Sequence, residues 1–301
     1  KQVHNLPQNI FFIMTLQEAV LATITYHDNF KYPLKKDEIH KYLIGKISNL
    51  KSVKITIDQL IKKKLIESKT NYICLKNKAK LTTTRIKREQ YSQKKLTKAK
   101  FYAKILHFIP TIQGICITGA LSMNNCTKND DLDLLIFCQN HTLWTTRFMV
   151  NMLMLPFKRS PNNKNVSNKV CLNIFIDESD LMIKSQNIYT AHEICQMKLL
   201  WDKNNNYLRF IKKNNWYLKY LPNWQPQNRG LYQNKYTKIQ IPILLEKLFK
   251  KIQTSYMKSK ITNETIGDSQ LFFHPRNTQN IILNKYYQNI KNIQLTTKDK
   301  F

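Results

Sequence analysis

A chain of 301 residues with 42% hydrophobic content is long enough for two or three domains with a proper core, which excludes a disordered tail. Its 49 Lys and Arg against 19 Asp and Glu give a net charge of +30 and a pI near 9.9. Such an excess repels itself in a compact state and points to a polyanionic partner, with compositional bias toward Lys, Asn and Ile as the alternative source.

The charge is uneven. Residues 1–110 hold 23 basic and 7 acidic side chains and residues 201–301 hold 18 and 5, whereas residues 111–200 hold 8 and 7. A neutral centre between two basic arms reads as a reaction or recognition module with polyanion-binding attachments. The six cysteines (Cys74, Cys116, Cys126, Cys138, Cys171, Cys195) form no CxxC and read as thiols of an intracellular reducing compartment, cytoplasm or an organelle matrix such as the mitochondrion. No apolar run reaches 18 residues, so no helix is expected to span a membrane. The sequence starts on Lys1, not on Met, and reads as a fragment or a processed chain.

In chain order, "TLQEAVLATITYHD" has a helical apolar face of Leu16, Ala19, Val20 and Ile24 behind Thr15 as N-cap. "LKKDEIHKYLI" predicts a second short helix ending at Gly45, and "ITIDQLIKKKLIES" a third with Ile57, Leu60, Ile61 and Leu65 on one face. "KTNYICLK" alternates as a β-ribbon does. Three short helices and a hairpin over residues 15–79 resemble a winged-helix domain. In that arrangement Lys62, Lys63 and Lys64 on the third helix and Lys69 on the wing meet nucleic acid, or form the solvated face of a protein-binding module.

The next stretch, "TTTRIKREQYSQKKLTKAKFYAKILHFIP", predicts a basic connecting helix over 81–109. Phe101, Ile105 and Leu106 pack on the following sheet, and Arg85, Lys87, Arg88, Lys94 and Lys95 face phosphates or solvent. "FMVNMLMLPF" predicts a core helix ended by Pro156. After residue 177 the chain reads as helical: "YTAHEICQMKLLW", "NNYLRFIKKNNWYLKYL", then a linker over 222–237, then "PILLEKLFKKIQTSYMKSK" with Leu244, Leu245, Leu248 and Ile252 on one face, and "TQNIILNKYYQNIKNI".

The chemistry lies in "TGALSMNNCTKNDDLDLLIF", residues 118–137. An apolar strand runs into Gly119, and ten residues after Ala120 come Asp131, Leu132 and Asp133 at the head of a second apolar strand. Carboxylates two apart on a strand project to one face. Like charges that close raise each other's pKa unless a cation neutralises them, and Mg²⁺ prefers one or two carboxylates plus phosphate oxygens. A Cβ-free Gly119 lets backbone amides approach those phosphates.

This stretch resembles the signature of the DNA polymerase beta-like nucleotidyltransferase superfamily: an apolar residue, Gly, then Gly or Ser, about nine to thirteen residues, and Asp-apolar-Asp/Glu-apolar. With "LWTTRF", "NKVCLNIFIDESDL", "IYTAHEICQMKLLWD" and "LFFHP", most of the chain is similar to a poorly characterised bacterial group of nucleotidyltransferase-domain proteins. The resemblance implies that Asp131 and Asp133 bind Mg²⁺ or Mn²⁺ with a nucleoside triphosphate as substrate. It also implies a third carboxylate on the strand "KVCLNIFID", where Asn173 stands instead, with Asp177 expected on the same face further along. Gly119, Ala120, Ser122 and Lys169 are the expected nucleotide contacts; Ala120 replaces the usual Ser, and Ser122 is its substitute. Arg147, Lys158, Arg159 and Lys164 are further bases near that strand, and His192 reads as a helix residue with a satisfied partner.

The expected fold is α+β: a winged-helix-like domain over 1–80, the basic helix over 81–109, a polymerase-beta-like nucleotidyltransferase domain with a small mixed sheet over 110–185, and a C-terminal α-helical region over 186–301. The expected function is Mg-dependent nucleotidyl transfer on or bound to nucleic acid, RNA before DNA. One alternative is a weak or inactive RNA-binding subunit or assembly factor of a large ribonucleoprotein. Another is a winged-helix transcription regulator.

Overall fold

The structure, a computed structural model, describes residues 14–159, 166–226, 239–258, 265–273 and 276–298. The first thirteen residues of the expected N-terminal domain, Lys164, and most of the expected linker (227–237) lie outside the described residues. The architecture is mixed α+β with a small mixed sheet.

Helix α1 (Leu16–Asp28) starts where Thr15 accepts from the Glu18 amide at 3.2 Å and Glu18 accepts from the Thr15 amide at 2.7 Å, a reciprocal cap. Helix α2 (Lys36–Lys41) is shorter than expected. It stops at Tyr42, and Gly45, at φ 69°, donates its amide to the Tyr220 carbonyl. Helix α3 (Leu50–Lys62), capped by Asn49, buries Val53, Ile57 and Leu60. A hairpin follows, β1 (Ile66–Lys69) and β2 (Tyr72–Leu75), and both of its turn residues, Thr70 and Asn71, take positive φ, as a two-residue hairpin loop requires.

Helix α4 (Leu81–Leu106) seats on the sheet through Ala99, Ala103 and Leu106, spaced four and three apart. Phe101, expected in that seat, is two residues out of phase and 56% exposed. Three of its expected nucleic-acid contacts are turned inward. Arg85 is 1% exposed, with its guanidinium 3.0 Å from Glu38, 2.8 Å from Glu89 and 3.6 Å above the Tyr32 ring. Lys95 donates to the Asp130 carbonyl at 2.6 Å, and Arg88 to the Phe30 carbonyl and Asn125. These bases tie α4 to α2 and to the loop before Asp131, because a buried cation has to find partners. Lys87 and Lys94 stay exposed, as do Lys62, Lys63, Lys64 and Lys69.

The main sheet contains β3 (Ile112–Ile117), β4 (Leu132–Cys138), β5 (Val170–Asp177), β6 (Lys198–Asp202), β7 (Thr265–Ile266) and β8 (Gln270–Phe272), in the order β6-β3-β4-β5-β8-β7. Among these strands only β4 and β5 pair in parallel. The expectation that the chain is helical after residue 177 is therefore wrong at three places. "KLLWD" breaks from helix α7 (Ile188–Gln196) at Met197 (ψ 140°) and pairs with the open edge of β3. A buried strand edge must satisfy its backbone groups, and this outweighs the helix propensity of Leu and Lys. Likewise β8 covers the edge of β5, so a boundary at residue 185 would cut through the sheet.

One face of the sheet (Leu135, Phe137, Ile174, Ile176) packs on α7 and on α8 (Asn206–Lys213), with Trp224 buried there rather than free in a linker. The other face packs on α4 and on α6 (Leu143–Leu153). Helix α9 (Ile243–Met257) begins one residue after Pro242 and lies along α6, where Glu246 accepts from the Trp144 and Thr145 amides at 2.6 and 2.9 Å. Its expected apolar face stays largely outside, with Leu244 80% exposed. Helix α10 (Arg276–Lys298) follows β8.

Arg85→Ala should lower the unfolding free energy by about 3 kcal/mol in urea titration, because Glu38 and Glu89 lose their shared cation. Exposed Lys87→Ala should stay within about 0.5 kcal/mol.

Candidate functional site

Gly119 opens a short helical turn, α5 (Gly119–Ser122), directly after β3. Its φ is +60°, and a Cβ there would meet the Asp133 carboxylate, with the Asp133 Cγ at 3.2 Å. Two requirements thus select glycine, a left-handed backbone and the nearness of an acid on the neighbouring strand. The Thr118 amide donates to the Asp133 carbonyl at 3.1 Å and fixes that approach.

The partner strand β5 is irregular at the decisive point. Asp133 lies opposite Cys171, Leu134 opposite Leu172, and Leu135 opposite Ile174, so Asn173 is an extra residue in a bulge. The bulge brings Asn173 to the site: its amide donates to Asp133 Oδ1, and the Cys171 thiol donates to Asn173 Oδ1 at 2.8 Å. It also reverses the alternation beyond residue 173. Asp177, expected on the same face as Asn173, is opposite Cys138 on the other side. There it accepts from the His141 amide at 2.8 Å and from Ser179.

Ligand atoms of Asp131, Asp133 and Cys171 lie within 4.8 Å of one another. Arg159 Nη1 is 2.9 Å from Asp131 Oδ2. Burial first, then the neighbouring Asp131 and Glu193, push the Asp133 carboxyl up to about 7. The Cys171 thiol is likewise pushed up, by burial and then by the two aspartates.

This donor set fits one divalent cation. Two hard carboxylates already repel each other, and Arg159 supplies to one of them the positive charge a cation would bring. Among the described residues a second ion has no comparable seat, because Asn173 is neutral and Cys171 is a soft, protonated thiol.

The other expected contacts divide. Ala120 lines a cavity beside Asp133. Ser122 does not substitute for a phosphate-binding hydroxyl: it is 2% exposed and donates to the Gly119 carbonyl at 2.7 Å. Lys169 points to the Pro156 carbonyl, and Lys158 to Asn151. Arg147 is turned to α9, bonded to Gln253 at 2.5 Å. His192 is fully buried with neither ring nitrogen hydrogen-bonded, stacked on Tyr26 at 4.0 Å, so the expected satisfied partner is absent.

Sequence reading missed the cavity itself, about 240 Å³ between α1, the Gly119 turn and α7. Tyr189, Glu193 and Gln196 face it from α7. Gln196 Nε2 donates to Glu193 Oε1 at 2.5 Å, and burial pushes the Glu193 carboxyl up to about 7. The available signal was an acid at i and an amide at i+3 inside "YTAHEICQ", a helix otherwise rich in apolar and aromatic residues.

No protein-family model matches this chain, and no curated protein matches it. Among solved structures it is similar to the crystal structure of a toxin-antitoxin with AMP-PNP, at 12% identity over 53% of this chain and 93% of that one, with a TM-score of 0.22. At that score the likeness carries no argument. No helix among the described residues is long and apolar enough to cross a membrane. All six cysteines are free thiols, five of them buried.

Asp133 keeps its proton in the folded chain up to about pH 7, whereas the unfolded chain releases it near 3.8. Between those values the folded state binds more protons, so the Asp133 contribution to stability is lost as pH rises through that window. Asp133→Asn should therefore be more stable than wild type by about 4 kcal/mol at pH 8 and little different at pH 4. Millimolar Mg²⁺ should narrow the pH 8 gap. Urea titrations at both pH values, with and without Mg²⁺, measure this.

Proposed function

We propose that this chain is a divalent-cation-dependent, nucleotidyltransferase-like protein that binds a nucleoside triphosphate and acts on or with nucleic acid, RNA before DNA. The observation that carries the reading is the pair Asp131 and Asp133 at the head of β4, with Asp133 against the Gly119 turn. The likeness of the motif to the DNA polymerase beta-like superfamily supports it, as does the order of three helices and a hairpin before α4, which we read as winged-helix-like. Exposed Lys62 at the end of α3, Lys63 and Lys64 just past that end rather than on the helix as expected, and Lys69 on the hairpin, with Lys87 and Lys94 on α4, are then the phosphate-contacting bases.

Within this reading each residue has a limited task. Asp131 and Asp133 would hold Mg²⁺ or Mn²⁺, which would supply positive charge against the triphosphate. Gly119 and Ala120 leave room for phosphates beside Asp133. Arg159 pairs with Asp131, and with a cation bound there it would be free to face the phosphates. Asn173 fixes the Asp133 carboxylate by donating to it, and being an amide it cannot take the proton of an acceptor hydroxyl. That one residue favours a second reading, a protein that binds nucleotide and RNA with slow or no transfer, as a subunit or assembly factor of a ribonucleoprotein would.

Incubation with α-labelled triphosphates and Mg²⁺ or Mn²⁺, with and without RNA, tests both. Cation-dependent nucleotide binding should be at least tenfold weaker in Asp131→Ala. Wild-type transfer should be slow, and Asn173→Asp should raise it about tenfold for each ~1.4 kcal/mol of added stabilisation. Unchanged binding in a folded Asp131→Ala would refute the cation site.

A further inference from the structure

We infer that the cavity beside Asp133 is a nucleobase pocket that selects guanine through Glu193 and Gln196. The inference rests on the proposed nucleotide binding and names its substrate.

At about 240 Å³ the cavity exceeds the ~150 Å³ that suffices for a benzene ring, so a fused bicyclic base has room. Phe30 and Tyr32 from the N-terminal unit, Tyr189 from α7 and the Met123 thioether supply much of its wall, and every base has a π-face that such groups cover. Gly119, Ala120 and Asp133 belong to the same wall. A base held here would therefore have its phosphates within reach of the carboxylate pair.

Polarity then chooses among the bases. Several polar groups of the wall are already spent. Asn125 donates to the Phe30 carbonyl and accepts from Arg88, while the Tyr32 hydroxyl is engaged by Glu38 and the Met123 carbonyl. In the Glu193–Gln196 pair one of the two amide N–H groups is spent on Glu193 Oε1. This leaves the second carboxylate oxygen and the amide oxygen as acceptors, with one amide N–H as a donor that suits the guanine 6-oxygen.

Guanine is the base whose edge carries two adjacent donors, N1–H and the 2-amino group. Adenine and cytosine set their amino group beside an acceptor nitrogen, and uracil flanks a single N–H with two carbonyls. Against an acceptor pair those three leave lone pairs facing lone pairs, and a buried polar group without a partner is what discriminates strongly between ligands. Guanine also favours the ionised form of Glu193, which burial alone disfavours.

The test is calorimetric titration at pH 8 with Mg²⁺, using GTP, ITP, ATP, CTP and UTP, and guanosine without phosphates. Wild type, Glu193→Gln and Asp131→Ala are compared, with thermal melts to establish that each variant folds. GTP should bind at least tenfold tighter than ATP, CTP and UTP. ITP, which lacks the 2-amino donor, should be about tenfold weaker than GTP. Glu193→Gln should lower GTP affinity about tenfold and leave ATP within threefold. Guanosine binding should survive Asp131→Ala.

Four triphosphates of equal affinity, or a folded Glu193→Gln that keeps full GTP affinity, would overturn the guanine pocket and leave the cation site standing. Guanosine binding with no Mg²⁺-dependent gain for GTP would overturn the cation site and leave the pocket standing. No binding of any nucleotide or nucleoside would overturn both.

Discussion

The approach of the Asp133 carboxylate to Gly119 organises this protein. It requires a residue without a side chain, in a left-handed conformation, at the end of β3. It requires β3 and β4 to pair antiparallel so that the Thr118 amide reaches the Asp133 carbonyl. It also puts an acid at the head of a strand whose next residues are almost wholly buried, with Leu134 at 1% and Ile136 at 0% exposed. Moving β4 by one residue would turn both aspartates to the apolar face packed on α4 and α6.

Desolvating a carboxylate is costly, and the neighbours of Asp131 and Asp133 are arranged around that cost. Asn173 gives Asp133 an amide donor and Arg159 gives Asp131 a cation, yet Asp133 still prefers its proton up to about pH 7. The site is therefore under-neutralised in the protein alone. In the proposed reading an incoming cation would gain from that, since it would relieve a repulsion the fold imposes. The bulge at Asn173 is the device that lets a neutral side chain do part of this work. It also separates this site from one with three acids, because the residue that reaches Asp133 contributes a donor and no charge.

The carboxylate pair, the glycine turn and the strands around them were legible in the sequence because they depend on short-range spacing: two residues along β4, one turn after β3. The bulge was not, since "KVCLNIFID" alternates perfectly until paired with β4, and only the register reveals the skipped residue that sends Asp177 to the far side. Strand β6 was hidden for a related reason. "KLLW" continues the helical pattern of α7, and the need of β3 for an edge partner lies eighty residues away. Charge misled in α4, where Arg85 and Lys95 share a basic run with exposed lysines, and only their three-dimensional partners distinguish them. The cavity joins residues from α1, the Gly119 turn and α7, so no single segment announces it.

The central claim is that Asp131 and Asp133 form a seat for one hard divalent cation. A crystal grown with Mn²⁺ and a nucleoside triphosphate, measured for anomalous scattering, tests it directly. The expected result is a single manganese peak at Asp131 and Asp133, with Arg159 moved off Asp131. A peak centred on Cys171, or none while Arg159 still pairs with Asp131, would contradict it.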